Sequence, residues 1–158
     1  MKKLIPFLVA GAMALTSCSP DKPKENTEAN GYDAYEAAEP EKKEDNGKGI
    51  GQITEVTLNT PLEQERVIRG KAIYEMKCSA CHQLGDTRVV GPGWKGVTER
   101  RKPEWIMNLV TNVDVMLDKD PEAQKLLELC LTRMPNQNVS VGDARDIVEF
   151  MRHNDGQK

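Results

Sequence analysis

Five consecutive residues, Cys78-Ser79-Ala80-Cys81-His82, place two thiols two residues apart and an imidazole directly after the second. This is the Cys-x-x-Cys-His pattern of c-type haem attachment. Each thiol can form a thioether to a haem vinyl group, and the histidine that follows is placed to bind the iron. The stretch would set a covalent cofactor, its orientation and one axial ligand, with Cys78 and Cys81 attaching and His82 ligating. A bare Cys-x-x-Cys also occurs as a thioredoxin-like redox pair, which expects a βαβ context. It occurs too as half of a zinc site, which needs two more ligands at suitable spacing. No Val/Ile-rich strands flank the motif, and the other thiols and imidazole are only Cys18, Cys130 and His153. Haem attachment is the preferred reading.

Such a site needs elements around it. The chain has 158 residues, which suggests one domain, and only 4% of them are aromatic. A small domain with few aromatics buries limited apolar surface and usually needs a staple. A covalent haem would be one. The formal charge of −3 and the lack of a concentrated basic face give no reason to expect nucleic-acid binding.

Helical signals surround the motif. Thr60-Pro61-Leu62-Glu63 reads as a helix start, with Thr60 as cap, Pro61 at the first position and Glu63 closing a capping box. The helix then runs to Lys77 with Val67, Gly70, Ile73 and Tyr74 on one face. Gly70 inside it costs stability unless another element approaches closely. Pro103-Glu104-Trp105 starts a second helix that includes Ile106, Leu109 and Val110. Asp120-Pro121 starts a third, with an apolar face of Leu126, Leu127, Leu129, Cys130 and Leu131. Cys130 reads as a small buried hydrophobe. Ser140 caps the last helix with Asp143 as its partner, and Val141, Ala144, Ile147, Val148 and Met151 form its stripe. His153, at its frayed end, reads as solvated.

From Thr60 to Asn154 the chain resembles the class I cytochrome c family. The resemblance rests on the haem motif after an N-terminal helix, on Gly91-Pro92, and on Arg133-Met134-Pro135 before the last helix. It implies an all-α fold wrapped around one covalently attached haem c. It implies that the first and last helices cross at Gly70 and Tyr74, facing Phe150. It implies that Gly91-Pro92 sets a backbone carbonyl against the far nitrogen of His82, which would fix the ring and tune the metal. It implies Met134 as sixth ligand, a soft thioether that raises the potential relative to two histidines. Met116, in an irregular segment before Asp118, is the rival; Met76 and Met151 sit at helical positions suited to core packing, and Met107 lies between helices. Trp94 could pack on the haem edge or fill core.

The N-terminal third carries other signals. Lys2 and Lys3 precede a short apolar run from Leu4 to Leu15, an export signal over residues 1–17 rather than a membrane span. Leu15-Thr16-Ser17-Cys18 resembles the lipobox of bacterial lipoproteins, which implies cleavage before Cys18 and its lipidation. Residues 18–52 read as a disordered tether, rich in Pro, Glu, Lys, Asn, Asp and Gly. As a coil it would span roughly 30–35 Å. Tyr32 and Tyr35 are its only aromatics. The haem domain is expected over 53–158.

Together these readings point to a lipid-anchored mono-haem cytochrome c on the periplasmic face of a bacterial membrane, an electron carrier rather than an enzyme. It would pass single electrons between respiratory partners. The run from Val90 to Met134 is similar to small anchored cytochromes that accompany terminal reductases, including nitrous-oxide reductase. Arg88, Lys95, Arg100, Arg101 and Lys102 could form a positive rim that steers an acidic partner. The alternatives are a haem enzyme or sensor with a labile sixth ligand, and a fixed electron-entry subunit of a larger complex.

Overall fold

The computed structural model describes residues 46–158. The export signal, Cys18, Tyr32, Tyr35 and most of the tether lie outside the described residues. Six helices follow in order: α1 Gln64–Lys77, α2 Val97–Arg100, α3 Pro103–Thr111, α4 Val113–Lys119, α5 Pro121–Cys130 and α6 Val141–Asn154. No strand occurs among the described residues, so the fold is the expected all-α one. Helix α6 packs against α1, α2 and α3, while α5 packs on α4.

The crossing of α1 and α6 is the scaffold. Val67, Gly70, Ile73 and Tyr74 form the buried face of α1, as their spacing predicts. A Cβ at Gly70 would lie 2.1 Å from the Asp146 carbonyl oxygen and 2.8 Å from Phe150 Cβ. The helices touch through backbone at this point, and only glycine allows it. Tyr74 and Phe150 stand 5.6 Å apart, ring to ring, beside the crossing. Asp146 is tied to α1 by Arg66 at 2.7 Å and Arg69 at 2.6 Å.

The start of α1 differs from the sequence expectation. The helix begins at Gln64, with Glu63 as N-cap and no side-chain cap. The Glu63 backbone N–H donates to Glu149 Oε1 at 3.1 Å. Glu149 is fully buried on α6 between Arg145 and Arg152. A tertiary carboxylate thus takes an N–H that the capping-box reading assigned to local residues.

Residues 46–52, read from sequence as tether, are packed. Asn108 on α3 accepts from Ile53 N–H at 3.1 Å and donates to the carbonyls of Lys48 and Ile53. Gly49 lies against Met116 and Trp105. The polar composition of this strap hides its order, because side chains of α3 and α4 satisfy its backbone.

Helix α5 is capped as expected: Asp120 accepts from Ala123 N–H at 2.8 Å, and also from Trp105 Nε1 at 3.0 Å. Its inward face is Ala123, Leu126, Leu127 and Cys130, at i, i+3, i+4, i+7 spacing. Leu129 and Leu131 are exposed instead of facing inward. Leu131 is the left-handed C-cap at φ 55°, so it lies past the helix. In α6, Ser140 Oγ accepts from Asp143 N–H at 3.1 Å. Val141, in the first turn, is half exposed, whereas Ala144, Ile147, Val148 and Met151 are buried.

Candidate haem-binding site

Helix α1 delivers the Cys-x-x-Cys-His motif. The chain turns directly off the helix: Cys78 N–H donates to Tyr74 O, and Cys81 and His82 N–H both donate to Cys78 O, at 3.0 and 2.9 Å. This tight turn brings Cys78, Cys81 and His82 to one cavity of about 370 Å³. Tyr74 hydroxyl donates to His82 O at 2.8 Å and pins the end of the motif to the helix.

His82 is oriented by its own loop. Its Nδ1 lies 2.9 Å from Pro92 O. A carbonyl can only accept, so Nδ1 carries a proton, and in the neutral imidazole that tautomer puts the lone pair on Nε2. Gly91 permits this geometry, because a Cβ there would fall 2.4–2.8 Å from three ring atoms of His82. Trp94 is buried with its ring 4.8 Å from Tyr74 and 5.7 Å from His82, and it borders the cavity. It both fills core and forms cavity wall.

Burial pushes the Cys78 thiol up to about 11, with Lys77 opposing and Cys81 adding to the rise. Reactive disulfide-exchange cysteines have lowered values. Among the described residues, Cys78 and Cys81 are free thiols, and no group of three or more His, Cys, Asp or Glu gathers as a metal set.

A second cavity, also about 370 Å³, adjoins the first. Cys81, His82, Leu109, Leu126 and Met134 border both. Met134 is half-buried on the irregular segment between α5 and α6. That segment is held from the motif side by Lys77, whose Nζ donates to Gln137 O at 2.8 Å, while Arg88 donates to Leu129 O in the last turn of α5. Arg133 is paired with Asp118 at 2.7 Å.

Among the described residues the other methionines lie elsewhere, with one exception. Met116 is not in an irregular segment; it is fully buried in α4, where its Sδ accepts from Ile50 N–H at 3.0 Å. It borders neither cavity. Met76 is exposed, Met107 is buried in α3, and Met151 reaches the first cavity from α6. His153 is exposed. Cys130, half-buried rather than buried, borders the second cavity.

The basic run does not form one rim. Arg100 and Arg101 border the first cavity, Lys102 Nζ bonds Asn46 O at 2.7 Å, and Lys95 sits 3.8 Å from Asp86. Sequence reasoning missed Asn108, the clamp Lys77, and the Arg101–Glu122 pair at 2.9 Å. Of these, only Glu122 had a local signal that could have drawn notice, its i, i+3 spacing from Lys125 on α5.

Two thiols, an imidazole oriented by a carbonyl, a thioether bordering the same space and apolar walls fit a covalently attached haem. The cytochrome c family profile matches residues 67–155. Cytochrome c from Rhodothermus marinus is 31% identical, with TM-score 0.66, over 69% of this chain and 93% of that one. An engineered form, Rma TDE, is 30% identical with TM-score 0.65, over 69% and 94%. The same engineered protein bound to a carbene intermediate is 29% identical with TM-score 0.62. No curated protein shows significant similarity to the chain.

Proposed function

The chain belongs to the cytochrome c family, and on that premise we propose that it is a membrane-tethered mono-haem carrier of single electrons between respiratory partners. The family carries covalently attached haem c, which when bound supplies one-electron iron chemistry. The residues proposed to hold it are Cys78 and Cys81 by thioethers, with His82 and Met134 as axial ligands. The observation that carries this reading is His82 Nδ1 held at 2.9 Å from Pro92 O, beside a cavity that Met134 also borders.

The chain's own contribution is orientation and exclusion of water. Pro92 O fixes the imidazole plane and holds the proton on Nδ1. Trp94, Ile106, Val110 and Ile147 wall the cavity with apolar surface. Lys77 holds the Met134 segment in place, and Arg88 holds the end of α5 before it. Were His82 and Met134 both to ligate the iron, a one-electron carrier would need no open position for a substrate.

The tether reading rests on the sequence alone. Lys2-Lys3, the apolar run and Leu15-Thr16-Ser17-Cys18 support export and lipidation at Cys18, on the periplasmic face. A tether would raise the concentration of the carrier near membrane complexes. A terminal reductase, such as nitrous-oxide reductase, is the proposed type of acceptor. A second reading, a haem enzyme or sensor with a labile sixth ligand, draws on the carbene-bound engineered relative and on the incomplete burial of Met134. Optical and magnetic spectra of the ferric protein separate the two. The carrier requires low-spin His/Met haem; a high-spin, ligand-binding haem supports the second reading. Cys18→Ala should release the protein from the membrane fraction, and its retention there would refute the lipid tether.

A further inference from the structure

We propose that Lys77 is the positioning residue for Met134, and that its bond to Gln137 O keeps the sixth position closed to small neutral ligands. The inference rests on the reading of His82 and Met134 as axial ligands. A thioether keeps its place on a metal only while the chain that carries the sulfur stays in place. What holds that chain sets how readily another donor takes the position.

The chain carrying Met134 has little of its own to hold it. It runs between α5 and α6, and two non-glycine residues in the left-handed region mark its ends, Leu131 at φ 55° and Asn138 at φ 51°. Such residues keep that conformation only where their surroundings impose it. Among the described residues, the backbone N–H groups of 132–139 make one hydrogen bond, from Asn138 to Asn136 Oδ1 at 2.8 Å, inside the segment itself. Pro135 has no N–H to give. Two cationic side chains tie the segment to other elements. Arg133 pairs with Asp118 at 2.7 Å and with Asp114 at 3.8 Å, but all three side chains are half exposed or more, and such pairs contribute little. Lys77 Nζ donates to Gln137 O at 2.8 Å from a half-buried position.

The place of Lys77 in the chain makes the bond specific. It ends α1, and Cys78 follows it directly. The helix end that delivers the attachment motif therefore also pins the segment that carries Met134. Lys77, Met134 and Gln137 all border the first cavity. A thioether that leaves this cavity draws its segment outward, and the Lys77 bond opposes that movement. The simpler role, a cation at the C-terminus of α1, predicts an effect on stability alone.

The test uses haem-loaded full-length protein in the ferric state, titrated with imidazole. Imidazole is a neutral donor whose nitrogen takes the place of the thioether sulfur with no electron transferred. Its neutrality keeps the charge lost in a variant from setting the result. Wild type is compared with Lys77→Leu and Lys71→Leu. Lys71 is an exposed cation on the same helix that borders neither cavity. Loss of the near-infrared thioether band reads the exchange. Lys77→Leu should bind imidazole roughly threefold to tenfold more tightly, the worth of one hydrogen bond. Lys71→Leu should match wild type. Equal affinity in Lys77→Leu and wild type overturns the assignment, and so does an equal rise in Lys71→Leu. If Lys77→Leu fails to load, lysine acetylation of wild type decides. Saturating imidazole should raise the reaction of Lys77 relative to Lys71, and an unchanged ratio overturns the assignment. A wild type without the thioether band would instead overturn Met134 ligation itself.

Discussion

Gly70→Ala is the sharpest perturbation of the scaffold. The added Cβ would sit 2.1 Å from Asp146 O, 2.7 Å from Asp146 C and 2.8 Å from Phe150 Cβ. Favourable carbon contacts lie near 3.5–4.0 Å, so the helices must part by about an ångström. The obstacle is backbone of α6, which cannot rotate aside as a side chain would. Alanine gains up to about 1 kcal/mol of helix propensity over glycine. Against this stands an overpacking cost of about 1–3 kcal/mol. Parting the helices also loosens the Arg66 and Arg69 bonds to Asp146, a smaller contribution because water screens both guanidinium groups. The expected net loss is about 1–2 kcal/mol. Gly142→Ala is the internal control. It lies in the first turn of α6, where the nearest atom to a Cβ would be Ser140 Oγ at 3.8 Å. That variant should be neutral or gain up to about 1 kcal/mol. Guanidinium unfolding of haem-loaded variants, followed by far-UV circular dichroism, reads both. A Gly70→Ala midpoint at or above wild type would refute the close crossing.

Gly91→Ala should push the His82 ring off Pro92 O, since its Cβ overlaps three ring atoms; the histidine resonances of the ferric protein should move, and unchanged resonances would contradict the geometry. Tyr74→Phe removes the 2.8 Å bond to His82 O and should cost about 0.5–1.5 kcal/mol in denaturant unfolding, with the ring contacts kept. Asp146 gives a pH signature. Burial alone would raise its pKa, but bonds from Arg69 and Arg66 hold it below the usual 3.8. A depressed folded value means stability that is present above the unfolded value and lost as pH falls through the folded one. Stability should therefore decline below about pH 4, and Asp146→Asn should flatten that decline; parallel acid limbs in the two proteins would exclude Asp146 as a cause.

The parts legible in the sequence are those set by local chemistry. The haem motif, Gly70, the Asp120 and Ser140 caps, and the stripes of α1 and α6 depend on spacing within one element. Gly91-Pro92 was legible through family resemblance, which supplied a contact that spacing could not. The rest depended on tertiary partners. Asn108 orders residues 46–52 from a distant helix, so a polar strap read as tether. Glu149 replaces the local cap of α1 from across the crossing. Met116 lies on a short helix whose sequence, Val113-Asp114-Val115-Met116, lacks a strong start signal. Its Sδ is engaged by the strap backbone, which no periodicity reveals. The basic run Arg100-Arg101-Lys102 looked like one surface, yet its members diverge to the cavity and the strap.

The central claim is that one iron is held between His82 and Met134. Its most direct test is the near-infrared thioether band of the haem-loaded ferric protein, compared among wild type, Met134→Ala, Met151→Ala and Met116→Ala. The band should be present in wild type, absent in Met134→Ala, and retained in Met151→Ala and Met116→Ala. A band that survives in Met134→Ala would contradict the account, and its loss in Met151→Ala alone would move the ligand to α6.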